Sequence, residues 1–219
     1  MPPGRAIVLL AAGLLSLAGI ASGLSGQGAA GGEGSTGPGP EVLRTPRAER
    51  FQGSIMPDGV RAPDFTLRDQ DGERVNMRDL RGRPAIVTFL YTTCEESCPA
   101  QAQQIKIGLD RLGEDIPALA ITVKPEADTP ANANRFLVEQ GMIGRMDIAL
   151  GTRPELERVW KGFAIQPQLD ETEHQARTVL IDANGFQRVG FPIDQLTPER
   201  LASDVRTLLA EARAGGAAG

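Results

Sequence analysis

Histidine, tryptophan and tyrosine each occur once in this chain and cysteine only twice, so any Cys/His chemistry has a single possible cast. Basic residues are not in excess. Lys and Arg number 23 against 28 Asp and Glu, a net charge of −5, and the 23 are scattered along the chain. A nucleic-acid binder is expected to carry a basic patch, so that class is disfavoured. Only one long apolar run exists, at residues 6–24, which argues against a multi-span membrane protein. With 41% hydrophobic and 23% charged residues in 219, the composition is that of a globular chain. No internal repeat is visible. The length outside the N-terminus suffices for one domain with a real core.

The run AIVLLAAGLLSLAGIASGL at 6–24 is uncharged and follows Arg5. Its length suits both an uncleaved membrane anchor and a secretory signal with Ala21, Ser22 and Gly23 as the small residues of a cleavage site. Either places the domain outside the cytoplasm, on the periplasmic or cell-surface side; an uncleaved 6–24 would also tie it to the cytoplasmic membrane. Residues 25–40, SGQGAAGGEGSTGPGP, offer little apolar area to bury and read as a flexible tether. Residues 41–61 look transitional, and by pattern the folded domain is expected to begin near Arg61, though a boundary as early as 49 is allowed for. The expected organisation is a signal or anchor at 1–24, a Gly-rich linker at 25–48, one folded domain at 49–214 and a disordered tail at 215–219.

Within the domain, Phe65, Leu67, Val75 and Met77 alternate around Asp71-Gly72, the pattern of a hairpin. AIVTFLY at 85–91 and ALAITV at 118–123 are continuous apolar runs of strand length, suited to strands covered on both faces. Between them Ile105, Leu109 and Leu112 recur at helical spacing. Asp128-Thr129-Pro130 predicts a helix start with a capping side chain and Pro at the first helical position, and Gly141 a stop. A short strand is expected at 146–150 and a helix at 154–163, with Leu156, Val159, Trp160 and Phe163 on one face. TVLID at 178–182 turns at Asn184-Gly185 into FQRVGF, and a last helix opens at Pro198. The order hairpin, β-α-β-α-β-α-β-β-α predicts an α/β domain with a mostly parallel central sheet flanked by helices. It is the order of a thioredoxin-like fold with an added N-terminal β-hairpin.

Cys94 and Cys98 fall where a buried strand ends and a helix begins, the edge at which open α/β sheets place their sites. Spacing of four at a helix N-terminus would put both side chains on one face, with Cβ atoms about 5–6 Å apart. One metal ion can then bridge the two sulfurs after a small rotamer adjustment. The helix N-terminus favours the thiolate, the form that binds metal and attacks disulfides. A structural disulfide across three residues would constrain little of the unfolded chain. The spacing alone leaves metal binding and redox chemistry open.

His174 lies in the polar loop DETEHQAR, just before TVLID. In the predicted strand order TVLID neighbours the strand that delivers Cys94, which brings the loop near the cysteines. Two thiolates and one imidazole make a soft donor set that suits Cu(I) and is tolerated by Cu(II) or zinc.

With these residues in place the chain resembles the Sco/SenC family of copper-binding cytochrome oxidase assembly proteins. The resemblance is carried by Pro63-Asp64-Phe65 with Leu67 and the DQDG turn, Leu80-Arg81-Gly82 before AIVTFLYTTC, Cys98-Pro99, TVKPEADTP at 122–130, and His174 ahead of Leu180-Ile181-Asp182-Ala183-Asn184-Gly185. It covers about residues 61–212. It implies that Cys94, Cys98 and His174 are copper ligands, and that the protein delivers copper to, or matures the copper site of, cytochrome c oxidase. The implied partners are the copper-receiving oxidase subunit and a periplasmic copper donor or thiol reductant. Three departures stand out: Glu95-Glu96-Ser97 between the cysteines in place of the more usual Pro-Asp-x, Lys124 where the family often has Asp, and an acidic histidine loop with Asp170, Glu171 and Glu173. Glu95 and Glu96 suit a first helical turn on dipole grounds alone.

The alternative is a dedicated thiol–disulfide oxidoreductase in which Cys94 and Cys98 form the redox pair. General thioredoxin-type enzymes use C-x-x-C and a Pro before the strand that here begins at Thr178, and neither is present. A peroxiredoxin-like site needs Thr three residues before its reactive Cys, and position 91 is Tyr. The role that the resemblance implies is metallochaperone rather than enzyme, with specific thiol–disulfide reduction of one partner still open.

Overall fold

The computed structural model describes residues 48–166 and 177–216. His174 with its acidic loop, the apolar run 6–24 and most of the linker lie outside them. Six strands form one sheet in the order β1-β8-β7-β4-β5-β6. They are β1 (Ser54–Ile55), β4 (Ala85–Leu90), β5 (Ala118–Thr122), β6 (Asp147–Ala149), β7 (Arg177–Ile181) and β8 (Gln187–Pro192). A separate hairpin, β2 (Thr66–Arg68) with β3 (Arg74–Asn76), is the one expected from the alternation at 65–77. Gly72 takes φ +82° in its turn, a conformation that a side chain would strain.

Helices α1 (Ser97–Asp110), α2 (Pro130–Gln140), α3 (Arg153–Gly162) and α4 (Pro198–Gly216) follow in the expected order. Thr129 caps α2 by accepting from the Asn132 N–H at 3.2 Å, Pro130 opens it, and Gly141 ends it at φ +63°. α4 runs to Gly216, two residues past the expected boundary at 214.

Four of the six strands point the same way, as β4, β5 and β6 pair in parallel and β8 lies antiparallel to β7, itself antiparallel to β4. The sheet is thus mixed in its pairings but mostly parallel in direction. Its centre explains the unbroken apolar run at β4. Ile86 and Leu90 face a cluster with Cys98, Ala102 and Ile105 of α1, Phe136 of α2 and Leu201 of α4. Val87 and Phe89 face Leu67 of the hairpin and Leu156, Trp160 and Phe163 around α3. Alternate residues serve opposite layers, so both registers must be apolar.

Residues 48–61 are not merely transitional. Phe51 is buried, Ser54 and Ile55 pair with β8, and the Gln52 and Gly53 N–H groups donate to the Asp204 carboxylate at 2.8 and 2.9 Å. A two-residue strand carries no periodicity from which it could be recognised.

Candidate functional site

β4 ends at Leu90, and residues 91–96 carry the chain into α1 at the carboxyl edge of the sheet. The turn closes through the Cys94 N–H on the Tyr91 carbonyl at 3.3 Å. Asp128 holds it from the side: one carboxylate oxygen accepts from the Thr92 N–H at 2.8 Å and the Thr92 hydroxyl at 2.6 Å, and the other accepts from the Thr122 hydroxyl. Burial pushes the Asp128 carboxyl up from its ordinary value, against the pull of these hydrogen bonds. Lys124 reaches over the Tyr91 ring, 5.3 Å from its centroid. Burial is also the main reason the Tyr91 phenol rises to about 12.

The two cysteines do not both stand on the helix, as their spacing of four suggests. α1 begins at Ser97 with Glu96 at the cap position, so Cys98 is in the first turn and Cys94 precedes it. Glu95 and Glu96 likewise precede the first turn. Glu96 makes no side-chain cap; instead the Cys94 sulfur accepts the Cys98 N–H at 3.3 Å and lies 3.3 Å from the Ser97 hydroxyl. A sulfur thus takes the place usually held by a capping oxygen. Neither cysteine is in a disulfide.

Their environments differ. Cys94 is half-buried, and although burial raises its pKa, the hydrogen bonds from Ser97, Cys98 and Glu96 outweigh it and hold the thiol below its ordinary value. Cys98 is fully buried, and burial, its largest influence, pushes the thiol well up. Its thiol is in hydrogen-bond contact with the Tyr91 backbone and with Cys94. The arrangement sets a half-exposed thiol beside a buried one, a pair able to take a soft cation or to exchange disulfides.

Of the three expected ligands, Cys94 and Cys98 meet, and His174 lies outside the described residues. Among the described residues no group of three or more His, Cys, Asp or Glu side chains is placed to hold a metal. β7 does run beside β4, with Thr178 opposite Thr88, as the sequence predicts. Sequence reasoning missed Ser97 and the bracing role of Asp128. The DTP signature draws attention to helix capping, which Thr129 performs, and nothing in the spacing reveals that Asp128 reaches Thr92.

Comparison with known proteins bears on the family and the fold. The profile of the SCO1/SenC family matches residues 57–210. An SCO2-like protein of Rickettsia felis is 29% identical over 173 residues, covering 72% of this chain and 82% of the relative. The structure of Bradyrhizobium japonicum ScoI with copper bound superposes with a TM-score of 0.58 at 29% identity, covering 68% of this chain and 99% of that one. BsSco, a member of the Sco family of cytochrome c oxidase assembly proteins, shares the fold at 23% identity and a TM-score of 0.59, covering 71% of this chain and 96% of its own. The thioredoxin-like architecture, the paired thiols at the carboxyl edge of β4 and the match across 57–210 together place this chain in the SCO1/SenC family.

Proposed function

We propose that this protein binds copper as cargo through Cys94, Cys98 and His174 and passes it to the copper-receiving subunit of cytochrome c oxidase. The observation that carries this reading is the pair of cysteines at the end of β4, with the Cys94 sulfur accepting the Cys98 N–H at 3.3 Å, in a chain 29% identical to a protein whose structure holds copper. The donor set fits. Thiolates are soft ligands matched to Cu(I), and the one histidine of the chain supplies the imidazole. Cysteine binds metal as the thiolate, so loading releases protons and weakens in acid. The apolar run 6–24 supports a location outside the cytoplasm, where protease added to spheroplasts should reach the domain; a protected, full-length cytoplasmic form would contradict it.

The test is competitive Cu(I) titration of the reduced full chain. One ion should bind, and the oxidised protein should bind little. Cys94→Ser should remove most of the affinity. His174→Ala should weaken binding and alter the Cu(II)–thiolate absorption while leaving Cys94–Cys98 disulfide formation intact. Parent-like affinity in Cys94→Ser would overturn the site.

A second reading, disulfide exchange on one partner, is favoured by the difference in acidity between the two thiols. Under it His174→Ala leaves copper affinity unchanged and shifts the reduction potential or the exchange rate. A disulfide-reductase assay run beside the titration separates the two.

A further inference from the structure

Beneath the cysteines lies a buried polar chain to which the proposed copper chemistry assigns no part. Gln101, one turn along α1 from Cys98, is fully buried, as are Thr88 of β4 and Thr178 of β7. The Gln101 Nε2 donates to Thr178 Oγ1 at 3.2 Å, Thr178 Oγ1 and Thr88 Oγ1 lie 3.0 Å apart, and Thr88 Oγ1 donates to the Arg177 carbonyl at 3.4 Å. A hydroxyl has one proton to give. Thr88 gives its own to Arg177, so Thr178 donates to Thr88, and the amide of Gln101 donates to Thr178. The direction runs from helix to strand to strand.

The other end of the amide is a liability. Gln101 Oε1 is buried and has no hydrogen-bond partner among the described residues. An unpaired buried acceptor opposes folding, and an apolar side chain of similar volume would remove it. Stability therefore does not explain a glutamine here. Linkage does: the side chain joins the helix that carries Cys98 to the strand that delivers Cys94 and to the strand beside it.

We propose that Gln101 is a positioning residue for the copper site. Through Thr178 and Thr88 it sets the register of the first turns of α1 against β4, and so the placement of the Cys98 sulfur relative to Cys94. It acts on the ligands without touching copper, and the inference rests on the reading of Cys94 and Cys98 as the metal site.

The test uses the full-length reduced chain in four forms: parent, Gln101→Met, Thr178→Val and the double variant. Thermal melting, Cu(I) competition and the Cu(II)–thiolate absorption are read on each. Gln101→Met should melt at or above the parent temperature yet bind copper about ten- to a hundredfold more weakly, the range seen when outer partners of metal ligands are lost. Its thiolate absorption band should move. Thr178→Val should reproduce that band shift and loss, and the double variant should be no worse than either single change, because one link is cut in all three. Parent-like affinity and spectrum in both single variants would overturn the proposal, as would losses that add in the double variant or follow the melting temperature. If Gln101→Met does not fold, Thr178→Val decides alone by the same two readouts. If instead the parent binds copper no better than Cys94→Ser, the metal-site reading fails and takes this inference with it.

Discussion

The two edges of the central sheet are held by different chemistry. At the carboxyl edge of β4 the cysteine turn is braced by hydroxyls, one amide and a single buried carboxylate, linking Thr92, Thr122 and Asp128 on one side and Thr88, Thr178 and Gln101 on the other. The opposite edge, beyond Ile181, is held by ions. Arg188 lies between Asp182 at 2.9 Å and Glu211 at 2.8 Å, Arg50 approaches Glu211 at 3.2 Å, and the Arg188 guanidinium stands 5.7 Å from the Phe51 ring centroid. Ion pairs strengthen as water is excluded, but each carries a field that reaches neighbouring groups. The bracing of the cysteine edge keeps its charges to Asp128 and to Lys124 over the Tyr91 ring, and the rest of it is by neutral dipoles, whose influence falls off quickly. The ionic edge locks the N-terminal segment to β8 and α4.

Four changes test that division, in order of expected effect. Cys98→Ser should abolish most copper affinity while leaving the fold intact, since the hydroxyl fits the same buried space; a titration paired with a thermal melt measures both. Arg188→Met leaves Asp182 and Glu211 facing each other without their shared cation and should cost about 3 kcal/mol of stability. Its copper affinity should equal that of the parent, and a loss of affinity there would erase the distinction between the edges. Asp128→Ala removes the acceptor of the Thr92 N–H and of two hydroxyls and should cost about 2 kcal/mol by urea unfolding, with weaker copper binding as the turn loosens.

Asp128→Asn is the mildest. Asn keeps an oxygen for Thr92 and offers an amide to Thr122, so the loss at neutral pH should stay under about 1 kcal/mol. The informative quantity is its pH dependence. Because burial raises the Asp128 carboxyl above 3.8, the folded state holds that proton more tightly than the unfolded chain does. The ionised carboxylate therefore lowers stability as pH rises from 3.8 through the raised value, and the parent should gain on Asp128→Asn as pH falls across that window. Parallel pH–stability curves for the two proteins would refute the assignment.

Much of this molecule is written in its periodicities. The strand runs at 85–91 and 118–123, the hairpin around Asp71-Gly72, the Pro130 and Gly141 helix signals and the Asn184-Gly185 turn are local patterns, and local backbone chemistry decides them. The cysteine pair was also visible, since the chain holds only two Cys, at the end of a strand and the start of a helix. Family membership followed from motif spacing. Tertiary structure decided what depends on residues far apart in the chain. It placed Cys94 ahead of α1 as the acceptor of the Cys98 N–H, and it brought Asp128 to Thr92 across 36 residues. It set Gln101 against Thr178 across 77 and drew Gln52 and Gly53 onto Asp204 across more than 150. A hydrogen bond between distant residues leaves no period and no spacing in the sequence. It exists only once the sheet has chosen its strand order, and that choice is made by the burial of both faces of β4 together.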